Sequence, residues 1–537
     1  MSSILFRFSF QFILLSSLTL IPLVVSANPW TTTASETITT GSSADLGPQD
    51  KFFLTRFQDD PYTVRSERVE KRNFRGNLLP KKILSANENE ILSEMRFKFR
   101  KKLLVNAKKE GVALLGRESF VLKSAYPDNE IAENFVDNSS SMLKNIFAMD
   151  NAGLTSATLK IQPWSDSYWP MYKGLTASRY ADPKNSYSGK NWKDYYTYFL
   201  QNPVADYIDD RKIDLLSPSE KYDLLIDDEK IHLTKAMWNE GRAVYDEYGE
   251  VATWMGICHG WAVASILSPR PLHPVTVTST QGKYKIKFYP ADIKALDSLF
   301  WANFVFPSKT LGGRCELKSA EIKRDPLNGH IIDPDCLDTN PGSWHMAIVN
   351  QLGIVNRSLI IDATFDYEVW NQPIFSYNYS YFNPQTLKGF SDARMAAILL
   401  KDYSNDKFTK FRSPETTQVV GVKMNITYGS ETDPTQQSMD GPQSDSLVTV
   451  TYFYDLELDD EGNILGGEWY QDAHPDFLWM PVQGVVRLGP FDRAVSSEWT
   501  SVNTALPKDW SKNAKRAVNY KLPLGKIIQV LNAASRK

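Results

Sequence analysis

The 537-residue chain is 42% hydrophobic and 23% charged, the composition of a globular protein long enough for two or three domains. A net charge of −3 and a pI near 6.2 argue against nucleic acid as the partner of the whole molecule. Three cysteines and six scattered histidines lack the spacing of a metal-ligand set.

Residues 1–27 read as an export signal. Arg7 supplies the positive region, Phe8 to Leu23 the apolar one, and Val25-Ser26-Ala27 the small-residue cleavage site. The apolar run is too short and too polar for a stable membrane anchor, so a secreted, soluble protein in a disulfide-permissive compartment is expected. Residues 28–150 read as a basic, partly disordered N-terminal region. Asn28 to Gly47 is Thr/Ser-rich, and Arg65 to Glu110 carries 14 Lys+Arg against 6 Asp+Glu. Met95 to Val105 has the pattern of a basic amphipathic helix. Lys71-Arg72 and Arg100-Lys101-Lys102 offer cleavage sites, which makes the region a candidate propeptide; a solvated surface helix is the alternative.

A catalytic core is expected over 151–400. It opens with an aromatic belt, Pro163-Trp164 to Tyr168-Trp169-Pro170 and Tyr172. Ser217-Pro-Ser-Glu220 has the form of a capping box starting a helical region to about Gly249, bent near Asp227-Asp228. Helix then leads through Val251 to Gly256. Cys258 follows a glycine turn, where the small-residue run Gly260 to Ile266 begins a helix. A thiol there meets free N–H groups and the positive end of the helix dipole, which stabilise the thiolate. Val275 to Tyr289 alternates as a hairpin about Gln281-Gly282, and Asp292 to Phe304 reads as a short helix.

An odd cysteine count in an exported chain leaves one thiol over. Cys315 and Cys336, 21 residues apart in a Gly-, Asp- and Pro-rich loop, are the natural disulfide, stabilising by about 3 kcal/mol. Cys258 is the remainder. From Trp344 to Ala363 the pattern is strand, turn, strand. His345 opens the outgoing strand straight after the Asn340-Pro341-Gly342 turn, and Asp362 ends the returning one 17 residues later. Cysteine on a helix, histidine on a strand and an acid on the next strand is the order of papain-like enzymes. It points to a Cys258–His345–Asp362 triad, with Asp366 as the alternative acid. His259 projects about 100° from Cys258 on a helix and is not the base. Trp254, Trp261, Trp344 and Trp370 lie close in sequence to these residues and are candidates to wall the substrate site. From 401 to 537 a β-rich region is expected, with strands at Gln418–Tyr428, Leu447–Leu458 and Ile464–Trp469 and an acidic turn at Asp459–Asn463 that lacks calcium-loop spacing.

Val369-Trp370-Asn371-Gln372-Pro373-Ile374 resembles the elicitor epitope of the secreted transglutaminase elicitors of plant-pathogenic oomycetes, a family with relatives in marine bacteria. Gly256-Ile-Cys258-His-Gly-Trp261, Asn340-Pro341-Gly342-Ser-Trp-His345, Gly466-Gly467-Glu468-Trp469 and His474-Pro475-Asp476-Phe477-Leu478-Trp479 resemble it in order and spacing. The likeness runs from Pro163 to Pro481, and the epitope diverges after Pro373. It implies a calcium-dependent protein-glutamine γ-glutamyltransferase with an α+β, papain-like core: a helix carrying Cys258 packed on an antiparallel sheet carrying His345 and Asp362, with extra N-terminal helical and C-terminal β elements. Cys258 would form a thioester with a protein glutamine and pass it to a lysine amine. The backbone N–H of Cys258 is one candidate oxyanion donor; the second is not identified. Partners implied are proteins with exposed Gln and Lys, and a host immune receptor reading the Val369–Pro373 loop. A secreted thiol protease and a non-catalytic recognition protein displaying Trp370 to Pro373 are the alternatives.

Overall fold

The computed structural model describes residues 46–66, 131–186, 191–209, 211–313, 322–333, 336, 339–364 and 368–537. Contacts divide the chain into units 1–41 and 42–537, and every described residue belongs to the second. The export signal, the basic helix at Met95–Val105, Cys315 and Asp366 lie outside the described residues.

Two helices, α1 (Pro48–Asp59) and α2 (Pro61–Ser66), fall within the region expected to be partly disordered. Leu54, Phe57 and Val64 give them an apolar side that is buried with Phe382, Phe408, Phe453 and Tyr470. Phe57 stacks on Tyr470 with ring centres 4.1 Å apart, and Arg65 is buried against Glu468 and Asp472.

The expected capping box begins α3 (Pro218–Leu225): Glu220 N–H donates to Ser217 Oγ at 3.2 Å, and Ser217 N–H to Glu220 Oε2 at 2.8 Å. After the break at Asp227-Asp228, α4 (His232–Tyr248) stops at Gly249, whose φ of 76° suits a residue without Cβ. Residues 250–257 are irregular rather than helical, and Gly256 lies too close to Tyr168 and Trp169 for any side chain. Cys258 then opens α5 (Cys258–Leu267), which ends two residues before Pro269, with Ser268 extended between them. A hairpin, β1 (Val275–Thr278) with β2 (Lys285–Phe288), turns through Gly282. It leads into α6 (Pro290–Asn303), buried from Pro290 to Ala302 and packed against α5.

The sheet follows. The strands along its main path are β3 (Ser308–Gly312), β4 (Ile360–Asp362), β5 (Asn371–Phe382), β6 (Gln418–Ser430), β7 (Ser446–Leu458), β8 (Ile464–Trp469) and β9 (Phe477–Pro481). They pair in the order β8-β7-β6-β5-β4-β9-β3, antiparallel throughout. Strands from 151–400 and from 401–537 therefore share one sheet. The C-terminal stretch is not β-rich to its end: α8 (Lys508–Val518) and α9 (Gly525–Ser535) join the helical core. Among the described residues no helix is long and apolar enough to cross a membrane.

The outgoing strand expected at His345 is a helix, α7 (Pro341–Ile348), running into a π-helical turn at Val349–Ile354. Asn340 is its N-cap, accepting Gly342 N–H at 2.8 Å, and Pro341 takes the first helical position. Every residue of α7 is buried, so no polar face marks its period. Gly342 allows the helix to lie on β8; a Cβ there would stand 2.8 Å from Gly466 Cα.

Strand alternation decides which groups can meet. Ile360 pairs with Pro373 and Asp362 with Asn371, pointing to one side; Ile361 pairs with Gln372, pointing to the other. Ile360 joins the core of α5 and α6, whereas Ile361 joins Trp344 and Ala347 of α7. The sheet lies between α5 and α7.

Candidate active site

Cys258 is the free cysteine among the described residues, at the first position of α5 and 6% exposed. Cys336 is buried and disulfide-bonded; its expected partner, Cys315, is not among the described residues. The belt buttresses the turn before Cys258: Ile257 N–H donates to Tyr168 O, and Met171 N–H to Met255 O, each at 2.8 Å. Tyr168 also donates its hydroxyl to Thr253 O at 2.8 Å and packs on Trp370 at 5.3 Å. Burial, with the neighbouring Tyr172, Glu431, Cys258 and Glu368, holds the Tyr168 phenol well above its ordinary range, so it remains a neutral donor.

The resembling epitope lies against the sulfur. Cys258 Sγ–H points to Val369 O at 3.6 Å, and Asn371 Nδ2–H donates to Sγ at 3.4 Å. Asn371 Oδ1 accepts Trp479 Nε1–H at 2.7 Å. Asp362, on the same side, accepts Trp370 N–H at 2.9 Å and Thr364 Oγ1–H at 3.1 Å, which holds residues 369–370 beside the sulfur. Asn371, Gln372 and Pro373 are buried at the start of β5, so the expected displayed loop is a strand end with Val369 and Trp370 half-buried.

His345 is not part of this group. It sits fully buried on α7, with Nδ1 2.8 Å from Tyr454 Oη, its ring against Tyr379, and Nε2 without a hydrogen-bond partner. Those tyrosines line the face opposite Cys258, so the expected Cys258–His345–Asp362 triad is not assembled. Two of the four expected wall tryptophans are also core residues. Trp261, fully buried, donates to Trp164 O at 2.9 Å, and Trp344, fully buried, packs on Tyr452 and Trp469. Trp254 and Trp370 are half-buried, and Trp370 follows Val369, whose carbonyl faces the sulfur. Asn371 and Trp479 were singled out only as parts of resembling motifs; the amide on the strand beside Asp362 was the usable signal for Asn371, and no local pattern links Trp479 to Cys258.

Burial pushes His345 from 6.5 down to about 3. The unfolded chain takes up a proton between pH 6.5 and 3 that the folded chain refuses, so this contribution to stability is lost as pH falls below 6.5. His345→Gln is expected to flatten the acid limb of the unfolding temperature, by the equivalent of about 2 kcal/mol at pH 5. The pH profile of Cys258 alkylation is expected to stay put, and its displacement would show that the imidazole acts on the sulfur.

Among the described residues no three His, Cys, Asp or Glu side chains group as a metal site, so no ligands are assigned to the calcium that the resemblance implies. In the acidic turn, Asp459 Oδ1 accepts Glu461 N–H and Asn463 N–H, and Oδ2 accepts Asn463 Nδ2–H, so that carboxylate holds its own turn.

A sequence profile of the family described as Transglutaminase elicitor matches residues 131–486, a span that begins before the likeness read from Pro163. No curated protein matches the chain. The crystal structure of the GP42 transglutaminase from Phytophthora sojae is similar at 21% identity, covering 62% of this chain and 89% of that one, with a TM-score of 0.41. With more than half of its length matched by the profile, the chain belongs to the transglutaminase elicitor family.

Proposed function

We propose that the protein is a secreted protein-glutamine γ-glutamyltransferase that joins exposed Gln and Lys side chains of proteins through a thioester on Cys258. The observation that carries this reading is the sulfur at the N-terminus of α5, outside any disulfide and held between Val369 O and the Asn371 amide. A thiolate there benefits from the free N–H groups and the dipole of the helix. Its attack on the side-chain carbonyl carbon of glutamine forms the S–C bond, the C–N bond breaks, and ammonia leaves with the proton that the thiol gave up on ionising. A lysine amine then attacks the thioester, the isopeptide bond forms, and the thiol is restored.

Trp254, Trp370 and Tyr168 favour transfer over hydrolysis by limiting water at the sulfur. Asp362 supports the site by fixing Trp370, and no step is assigned to His345 or routed through calcium. The Cys315–Cys336 disulfide, export through residues 1–27 and recognition by a host receptor belong to the same reading.

The test is incorporation of a labelled primary amine into a glutamine-rich protein, with and without calcium. Cys258→Ala is expected to lose incorporation by at least about 10³-fold. Fragmentation of the acceptor protein without incorporation would select the thiol protease, and equal behaviour of both proteins would select a non-catalytic recognition role.

A further inference from the structure

The amide of Asn371 is locked in one orientation. An indole nitrogen can only donate, so Trp479 Nε1–H, 2.7 Å from Oδ1, turns the oxygen toward itself and Nδ2 toward Cys258 Sγ, 3.4 Å away. The three groups come from regular elements: Cys258 from the start of α5, Asn371 from the first residue of β5, Trp479 from the middle of β9. Asn371 is 6% exposed, so its donor works with little competition from water.

Building on the reading of Cys258 as nucleophile, we propose that Asn371 is a catalytic hydrogen-bond donor of this site and that Trp479 is the residue that positions it. When the thiol ionises, the amide stabilises the charge on the sulfur. As the S–C bond forms, the carbonyl π pair moves onto oxygen and charge leaves the sulfur. The N–H that held the sulfur then serves the new oxyanion, alongside the backbone N–H of Cys258. When the C–N bond breaks, the carbonyl re-forms and the amide returns to the sulfur. Because the donor is oriented beforehand, it costs no rearrangement during the reaction.

The full chain is tested as Asn371→Leu, Asn371→Asp and Trp479→Phe. Alkylation of Cys258 by iodoacetamide is followed against pH by peptide mass spectrometry, beside amine incorporation. In Asn371→Leu the pH midpoint of alkylation is expected to rise by about one, since the thiolate loses a donor. In Asn371→Asp it rises further, since an anion then faces the sulfur. Trp479→Phe keeps an aromatic ring but loses the N–H, so the midpoint moves the same way and less. Amine incorporation is expected to fall about 10²–10³-fold in Asn371→Leu and about tenfold in Trp479→Phe.

A midpoint that does not move in any variant retaining the wild-type unfolding temperature overturns the proposal. Should the Asn371 variants not fold, an unmoved midpoint in Trp479→Phe is sufficient to overturn it. Wild-type protein that alkylates but incorporates no amine would refute the transferase reading alone, because alkylation reads the sulfur without acyl transfer.

Discussion

Arg412→Met is expected to destabilise the fold by about 3–5 kcal/mol, with the loss concentrated at neutral and alkaline pH. Arg412 is buried and bonds Asp455 with two nitrogens, at 2.6 and 2.8 Å, and Asp406 with Nε and Nη2, at 3.1 and 2.9 Å. Asp455 lies fully buried on β7 and also accepts Glu468 N–H and Tyr470 Oη–H. Burial already pushes its carboxyl up to about 6 against the pull of Arg412. Without the guanidinium it rises further, and at pH 7 folding must either bury an unpaired anion or take up a proton. A folded carboxyl above its unfolded value gives stability that is present below about pH 4 and lost as pH rises through the folded value. Urea midpoints should therefore show a larger loss at pH 8 than at pH 5. Adding Asp455→Leu should recover part of it, since a matched apolar pair avoids the uncompensated charge. Equal losses at both pH values would refute the account.

Much of this architecture could be read from residues with strong local rules. Ser217 and Glu220 marked the start of α3, Gln281-Gly282 the first hairpin, and Asp459 to Asn463 the turn between β7 and β8. The helix opened by Cys258 was legible for the same reason: a glycine turn followed by small apolar residues. The error at His345 has a physical origin. Asn340-Pro341 was read as a turn, although the pair also makes an N-cap and first helical residue, and full burial of α7 removed the polar stripe that would have shown its period. One wrong element then moved the imidazole across the sheet, because strand faces alternate and helix faces do not. The grouping of Asn371 and Trp479 around Cys258 was illegible for a different reason. Trp479 reaches the site only through the pairing of β9 with β4 and of β4 with β5. Long-range register of that kind leaves no mark in a local pattern.

Gly260→Ala is expected to lower stability by about 1–3 kcal/mol, opposite in sign to what helix propensity implies. Propensity alone favours alanine over glycine inside a helix by about 1 kcal/mol. At Gly260 the sterics are larger. An added Cβ would clash with the carbonyl oxygen of Ser298 and lie 2.7 Å from both Ala302 Cβ and Ala302 N on α6. That helix cannot give way, since it is buried from Pro290 to Ala302. The strain therefore falls on α5, whose first residue carries the sulfur two positions away. A displacement near 1 Å can cost about 10²-fold in rate, so amine incorporation should fall much more than the change in unfolding temperature suggests. Ala302→Gly should restore only part of both losses, because the backbone clash with Ser298 stays. An unfolding temperature equal to or above that of the parent would show that α5 and α6 are not in the close contact from which the position of Cys258 follows.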